Sequence, residues 1–379
     1  MITCQRHLFD IPEGVTWLNC AQHSPASNGV YEAGLLGLER KRHPWTLSAE
    51  QYHGEVERLR RTFARLVGAR ADDVALVPAA SYGLAIAAGN LELPAGGRVL
   101  VLADQFPSNV FAWRDLAARR GGEVVTLARP EDGDWTQAIE DALDERTAIV
   151  AIPQFHWMDG GRIDVRRLAP QVRALGAALV LDLSQSLGAV PTDLPEIGPD
   201  FAVAVGYKWL LGPYRFAFLY AAPHRQDGEP LEQAWSSRAS SQDTSRLTDY
   251  SDAMAAGARR YDVGERGDYL AVPMAQAALD QILDWNVAEI QDSVAPLVAE
   301  VAVQAQARDI AVIPEPHRAP HFIGLRLRCP PPRDLPLRLG AEGIYISLRG
   351  ETLRVSPHLY NDKADIARLF EALDRHLQP

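Results

Sequence analysis

Seven short apolar runs, at 74–77, 99–102, 124–127, 148–152, 178–181, 201–205 and 216–220, recur along the middle of this chain. They are nearly free of polar residues, the pattern of strands buried on both faces. Most are separated by stretches of helical period, such as Val165, Leu168, Val172 and Leu175. Strands and helices alternating in this way predict an α/β fold, a mostly parallel seven-stranded sheet covered by helices. Val56, Leu59, Phe63, Leu66 and Val67 mark an amphipathic helix leading into it, ended by Gly68. From about Trp285 the pattern changes to a helix, short strands at 321–327, 344–347 and 353–356, and a last helix turning Ile366, Leu369, Phe370 and Leu373 inward. The expected organisation is an N-terminal segment (1–45), a large domain (46–284) and a smaller α+β C-terminal domain (285–379). A chain of 379 residues with 47% hydrophobic content can bury cores of that size.

In an open parallel sheet, ligands bind beyond the carboxyl ends of the strands. Two of the runs end in charge. Residues 201–205 lead into Gly206-Tyr207-Lys208-Trp209, and residues 178–181 into Asp182-Leu183-Ser184-Gln185-Ser186. Strand-end lysines are commonly snorkelling surface groups, and a strand-end aspartate commonly caps a turn. A buried lysine, however, is pushed toward its neutral form and becomes a nucleophile toward an aldehyde, for which pyridoxal phosphate is the natural partner. A buried carboxylate needs a cation, and a pyridinium nitrogen supplies one while becoming an electron sink. Lys208 and Asp182, 26 positions apart, together favour the cofactor reading.

With these residues the chain resembles the class V aminotransferase family of pyridoxal phosphate enzymes of fold type I, which includes cysteine desulfurases, kynureninases, isopenicillin N epimerase-like proteins and small-substrate aminotransferases. The resemblance extends from Trp17-Leu18-Asn19-Cys20-Ala21 to Arg354-Val355-Ser356-Pro357-His358-Leu359-Tyr360-Asn361. It implies that Lys208 forms the internal aldimine, that Asp182 pairs with the pyridine nitrogen, that Gln185 lies near the phenolic oxygen and that Tyr207 contacts the phosphate. It also implies that Asn19 and His23 reach the active site, and that the protein is a homodimer with shared active sites. Gly264-Glu265-Arg266-Gly267 stands where relatives often carry a Gly-Thr-Pro turn donated to the neighbouring subunit's phosphate, so Arg266 either replaces that threonine or makes an ordinary salt bridge.

A phosphate requires amides, hydroxyls or a helix N-terminus. Pro78-Ala79-Ala80-Ser81-Tyr82-Gly83 follows the first sheet run and opens a helix-compatible stretch, so the Ala80 and Ser81 amides and the Ser81 hydroxyl are candidates, with a plain Ser cap of that helix as the alternative. Phe106, in Gln105-Phe106-Pro107-Ser108-Asn109, is placed to stack on a pyridine ring, like the stacking loop of kynureninases. His156 and Trp157 either line the same cleft or are structural. An α-carboxylate calls for a guanidinium. Arg354 matches the family's carboxylate receptor, and Arg349 is a candidate for a second acidic group.

The net charge of −11 argues against nucleic acid and anionic membranes, and no stretch approaches the length of a membrane span. The N-terminus lacks the apolar core of a signal peptide, so the cytoplasm is the expected location. Cys4, Cys20 and Cys329 show neither a disulfide framework nor zinc spacing. Pro316 and Pro320 break any helix that would pair His317 with His321 on a metal. No metal is expected, and the partner expected is a small amino-acid or amine substrate. The resemblance implies that Lys208 removes the Cα proton and that Asp182 stabilises the resulting quinonoid. Residues 343–353 contain no cysteine, which disfavours desulfuration. An aminotransferase-like reaction is the first expectation, a C–S or related β-lyase or an epimerase the second. A non-catalytic homologue should have lost Lys208 or Arg354, and both are present.

Overall fold

The computed structural model describes residues 1–377. Its strands are β1 (Thr16–Trp17), β2 (Val74–Val77), β3 (Arg98–Leu102), β4 (Glu123–Leu127), β5 (Thr147–Pro153), β6 (Ala178–Asp182), β7 (Phe201–Val205), β8 (Ala217–Ala221), β9 (Ile323–Arg326), β10 (Ile344–Tyr345), β11 (Ser347–Arg349) and β12 (Thr352–Val355). The seven expected runs form one sheet in the order β2-β8-β7-β6-β5-β3-β4. Only β8 runs antiparallel to its neighbours. Side chains alternate across this sheet. Leu76, Leu100, Ile152, Leu181, Ala204 and Phe218 enter one core, while Val77, Val101, Ala151, Val180, Val203 and Leu219 enter the other. Both faces are therefore dry, which is why the runs lack polar residues.

The helix Ala49–Leu66 buries Val56, Leu59 and Phe63 as its period requires, and Gly68 follows it at φ +69°. In the helix Val165–Ala174, Val165, Leu168 and Val172 are buried, but Leu175 lies past its end and is exposed. The chain leaves β3 for β4 on one side and then returns to β5 on the other. The carboxyl ends of β3 and β5 thus flank a topological switch point, where such sheets open a crevice.

Two of the three C-terminal runs are longer than the strands they form, while 353–356 matches β12 to within a residue. The 321–327 run pairs only over β9, and the 344–347 run divides at Ile346 between two sheets. β10 pairs with β1 of the N-terminal segment, whereas β11, β12 and β9 form an antiparallel three-stranded sheet. The helix Lys363–His376 closes this region with Ile366, Leu369, Phe370 and Leu373 inward. Past β1, the Asn19–Ser356 bridge keeps the N-terminal segment beside β12. Asn19 through Ser24 thereby meet the β7 end, where Ser24 N donates to Tyr207 O at 3.0 Å.

Candidate active site

Where parallel strands end, backbone groups and side chains point into the same crevice. A cavity lies there, lined by Ala80 and Ser81 after β2, Phe106 and Asn109 after β3, Trp157 after β5, Asp182, Ser184 and Gln185 at the β6 end, and Tyr207 and Lys208 after β7. All seven of the sheet-edge residues expected from the sequence to hold a cofactor are on its wall.

Lys208 is buried, and among the described residues its amine has no hydrogen bond or ion pair. Its amine faces the Phe106 ring at 5.5 Å and the Tyr207 ring at 5.9 Å. Burial holds its pKa down to about 8; Asp182 pulls it upward, and the positive charges of Arg354 and Arg349 add to the depression. Asp182 accepts a 3.0 Å hydrogen bond from Ser184 N and forms no ion pair among the described residues. Gln185 is fixed from three directions. Its Nε2 donates to Ala21 O (3.0 Å), its Oε1 accepts from Trp209 Nε1 (2.8 Å), and its carbonyl accepts from His321 Nε2 (2.6 Å). Burial pushes His321 down to about 3, so its ring is neutral. The β6 loop reaches Trp209 through Gly188, at φ +93°, where a Cβ would stand 2.3 Å from Trp209 O.

The helix after β2 begins at Ala80, and its N-cap is Ala79, with no side-chain cap. Ser81 is thus in the first turn and is not the cap weighed above. The Ala80 and Ser81 amides lie in the first turn, where helix N–H groups have no intrahelical acceptor. Phe106 is 37% exposed and meets Trp157 edge-on at 5.4 Å, so it forms cavity wall, not core. His156 and Trp157 separate: the His156 ring is buried against Trp135, with Nε2 3.0 Å from Ala103 O, whereas Trp157 lines the cavity.

None of the four residues expected at the substrate lines this cavity; Arg354 and Arg349 touch its wall residue Trp157, and His23 its wall residue Tyr207. Arg354 is 1% exposed; its Nη1 donates to Trp157 O at 2.7 Å, and its Nε has no partner. Burial, with Arg349 close by, pushes Arg354 down to about 9. Arg349 stands over the Trp157 ring, 5.8 Å from its centre, and donates to Gln22 Oε1 at 3.0 Å. Asn19 does not face the cavity; it binds Gln22 and Ser347 and so helps hold Arg349. The His23 ring lies 4.9 Å from Tyr207 and is stacked on Tyr214, with its pKa lowered by burial and by Lys208. Arg266 is set apart: it pairs with Asp262 (3.2 Å) and donates to Ser236 O (2.6 Å), the salt-bridge alternative within this chain.

Asn109, Ser184, Tyr214 and Arg215 also line the cavity and were not singled out from the sequence. Asn109 is fully buried; its Oδ1 accepts from Trp113 Nε1 while its Nδ2 is unpartnered. Only the fold reveals that orphan donor. One signal was legible: the chain has three lysines, Lys41, Lys208 and Lys363, against 35 arginines, and only Lys208 is buried. Among the described residues, no cluster of His, Cys, Asp or Glu is arranged to hold a metal, and no helix is long and apolar enough to cross a membrane.

Residues 41–369 match the family model for class-V aminotransferases, and the chain belongs to that family. Its cofactor is pyridoxal phosphate, and the protein is an enzyme of the transferase or lyase type. Among curated relatives, an uncharacterized aminotransferase, YcbU, of Bacillus subtilis is 27% identical over 84% of this chain and 83% of its own. A kynureninase of Deinococcus radiodurans is 32% identical over 65% of this chain and 59% of its own. A probable cysteine desulfurase of Pseudomonas aeruginosa is 27% identical over 97% and 94%. The same fold occurs in a cysteine desulfurase of Thermococcus onnurineus (TM-score 0.87, 17% identity, 99% of this chain and 98% of that one) and in the cystine C–S lyase C-DES (TM-score 0.84, 17% identity, 95% and 97%). The residues present fit pyridoxal phosphate: a buried lysine amine without a partner suits an aldehyde, a carboxylate without a cation suits a ring nitrogen, and free first-turn amides and the unpartnered Asn109 Nδ2 suit anionic oxygens.

Proposed function

We propose that Lys208 holds pyridoxal phosphate and moves the Cα proton of a small amino-acid substrate in an aminotransferase-like reaction. The carrying observation is the buried Lys208 amine, shifted toward neutrality and without a partner, across the cavity from the unpaired Asp182 carboxylate. Asp182 would keep the ring nitrogen protonated, Gln185 would sit beside the ring oxygen, and Phe106 would cover one ring face. The Ala80 and Ser81 amides, with Tyr207, would receive the phosphate. Arg354 would take the α-carboxylate, which satisfies its orphan Nε. The bound cofactor supplies an aldehyde for the substrate amine and a ring that withdraws electron density from Cα. Freed by the substrate amine, Lys208 is then a base whose ordinary ammonium form is already disfavoured by its surroundings.

The three-part organisation belongs to the same proposal: 1–45 contributes Asn19 and His23, 46–284 the cofactor wall, and 285–379 both arginines. So does the homodimer, supported by Tyr31, Leu35, Leu36 and Leu38 exposed along the helix Asn28–Arg42. Arg266 would then face the partner's site only if Asp262 released it; a monomeric mass by light scattering at micromolar concentration contradicts the dimer. A β-lyase is the second reading: the same proton-transfer groups serve elimination, and the cystine C–S lyase C-DES shares the fold. Titrating the holoprotein with amino acids while identifying products by mass separates the two. Formation of the amine form of the cofactor with a keto acid supports transamination. Ammonia with a keto acid at unchanged cofactor supports elimination, and no visible absorbance after adding pyridoxal phosphate contradicts both.

A further inference from the structure

The β11–β12 hairpin carries two guanidiniums on one face. Ser347 is registered opposite Arg354, and Arg349, two residues along β11, shares the face of Ser347. Arg349 and Arg354 are therefore diagonal neighbours, about 7–8 Å apart at Cα in such pairs. Both lean on Trp157, one through its carbonyl at 2.7 Å and one over its ring at 5.8 Å, and Trp157 lines the cavity.

This chain has 49 acidic residues against 38 Lys and Arg, yet neither guanidinium has a carboxylate partner among the described residues. Two like charges on one face, each partly withdrawn from water, disfavour one another. A single carboxylate answers one of them. The second is held ready: Gln22 Oε1 accepts from Arg349 Nη2 (3.0 Å), and Gln22 is fixed by Asn19 Nδ2 (3.1 Å) and Ser347 Oγ (2.8 Å). Arg349 Nη1 donates to Leu348 O at 3.2 Å, so of five guanidinium N–H groups three remain for a ligand.

We infer that the substrate carries two carboxylates, its α-carboxylate on Arg354 and a second, side-chain carboxylate on Arg349, which makes acidic amino acids the preferred substrate class. The inference rests on the reading of Arg354 as the α-carboxylate receptor. Neutral amides of the same shape lose the charge-assisted pair at Arg349 and leave that guanidinium partly desolvated without an anion.

The test compares aspartate with asparagine and glutamate with glutamine on the holoenzyme, following the change in cofactor absorbance and kcat/KM. The expected acid-to-amide ratio is about 10- to 100-fold for at least one pair, the scale of one charge-assisted interaction. It should fall to about one in Arg349→Gln and recover in part in Arg349→Lys, which keeps the charge but not the fork. A ratio at or below one for both pairs in the wild type overturns the inference. An unchanged ratio in Arg349→Gln overturns the assignment to Arg349, as does an equal fall for acid and amide, which would place Arg349 on the α-carboxylate. A cofactor spectrum that responds to no amino acid instead overturns the underlying reading of Arg354 and Lys208, and the inference with it.

Discussion

Arg60 and Arg354 are both fully buried arginines, and their surroundings are opposite. Arg60 holds Asp262 through two hydrogen bonds (3.0 and 2.7 Å), adds Glu57 at 3.1 Å and donates to Val74 O at 2.6 Å. Those carboxylates outweigh burial and raise its pKa. Arg354 has one carbonyl, an orphan Nε and a second guanidinium nearby, and is pushed down to about 9. A buried charge without a counter-charge is costly, so it persists where a ligand completes it. Arg60 ties a helix to the sheet, and the proposal gives Arg354 an anion.

The largest effect should come from Arg354→Met. We expect kcat/KM for amino acids to fall about 100-fold or more, mainly through KM, with the thermal midpoint unchanged or raised because an uncompensated charge has gone. A clear loss of stability would erase the contrast by making Arg354 structural. Arg60→Met should do the reverse, costing about 3 kcal/mol of unfolding free energy by denaturant titration while leaving the KM of the folded fraction intact. A smaller effect is expected from succinate, a dicarboxylate without an amine. It should raise the thermal midpoint of the wild type by a few degrees at saturating concentration and leave Arg354→Met unmoved. Equal shifts in both proteins would mean that the anion binds elsewhere.

The smallest effect concerns Lys208. Its neutral amine is the form that reacts, so capture of pyridoxal phosphate by apoprotein should accelerate as pH rises and level off above about 8. Arg349→Gln removes a positive neighbour and should move that midpoint upward by a fraction of a pH unit. A midpoint near the ordinary lysine value of 10.5 would contradict the burial argument.

The sheet was legible because its strands are dry on both faces, and all seven of its runs were located to within one residue at each end. The last run, 216–220, is shifted by one residue to Ala217–Ala221. Two of the C-terminal runs were read too long, since His321, Phe322 and Ile346 are buried but lie outside the strands: burial makes a run apolar without giving every residue a ladder partner. The cavity wall was legible for a similar reason, as Asp182 and Lys208 are charges at the ends of apolar strands. What stayed hidden depends on tertiary contact. Asn109 reads as a helix residue until Trp113 takes its Oδ1, and Gln22 acquires meaning only when β1 pairs with β10 and brings it to Arg349. Asn19, read as a site residue, is one step removed for the same reason.

The central claim is that Lys208 carries the cofactor. With only Lys41, Lys208 and Lys363 available, reduction of the holoprotein with borohydride followed by peptide mass mapping decides it. The account predicts a pyridoxyl group on Lys208 alone, absent from Lys208→Ala. A label on exposed Lys41 or Lys363 with Lys208 unmodified would contradict it.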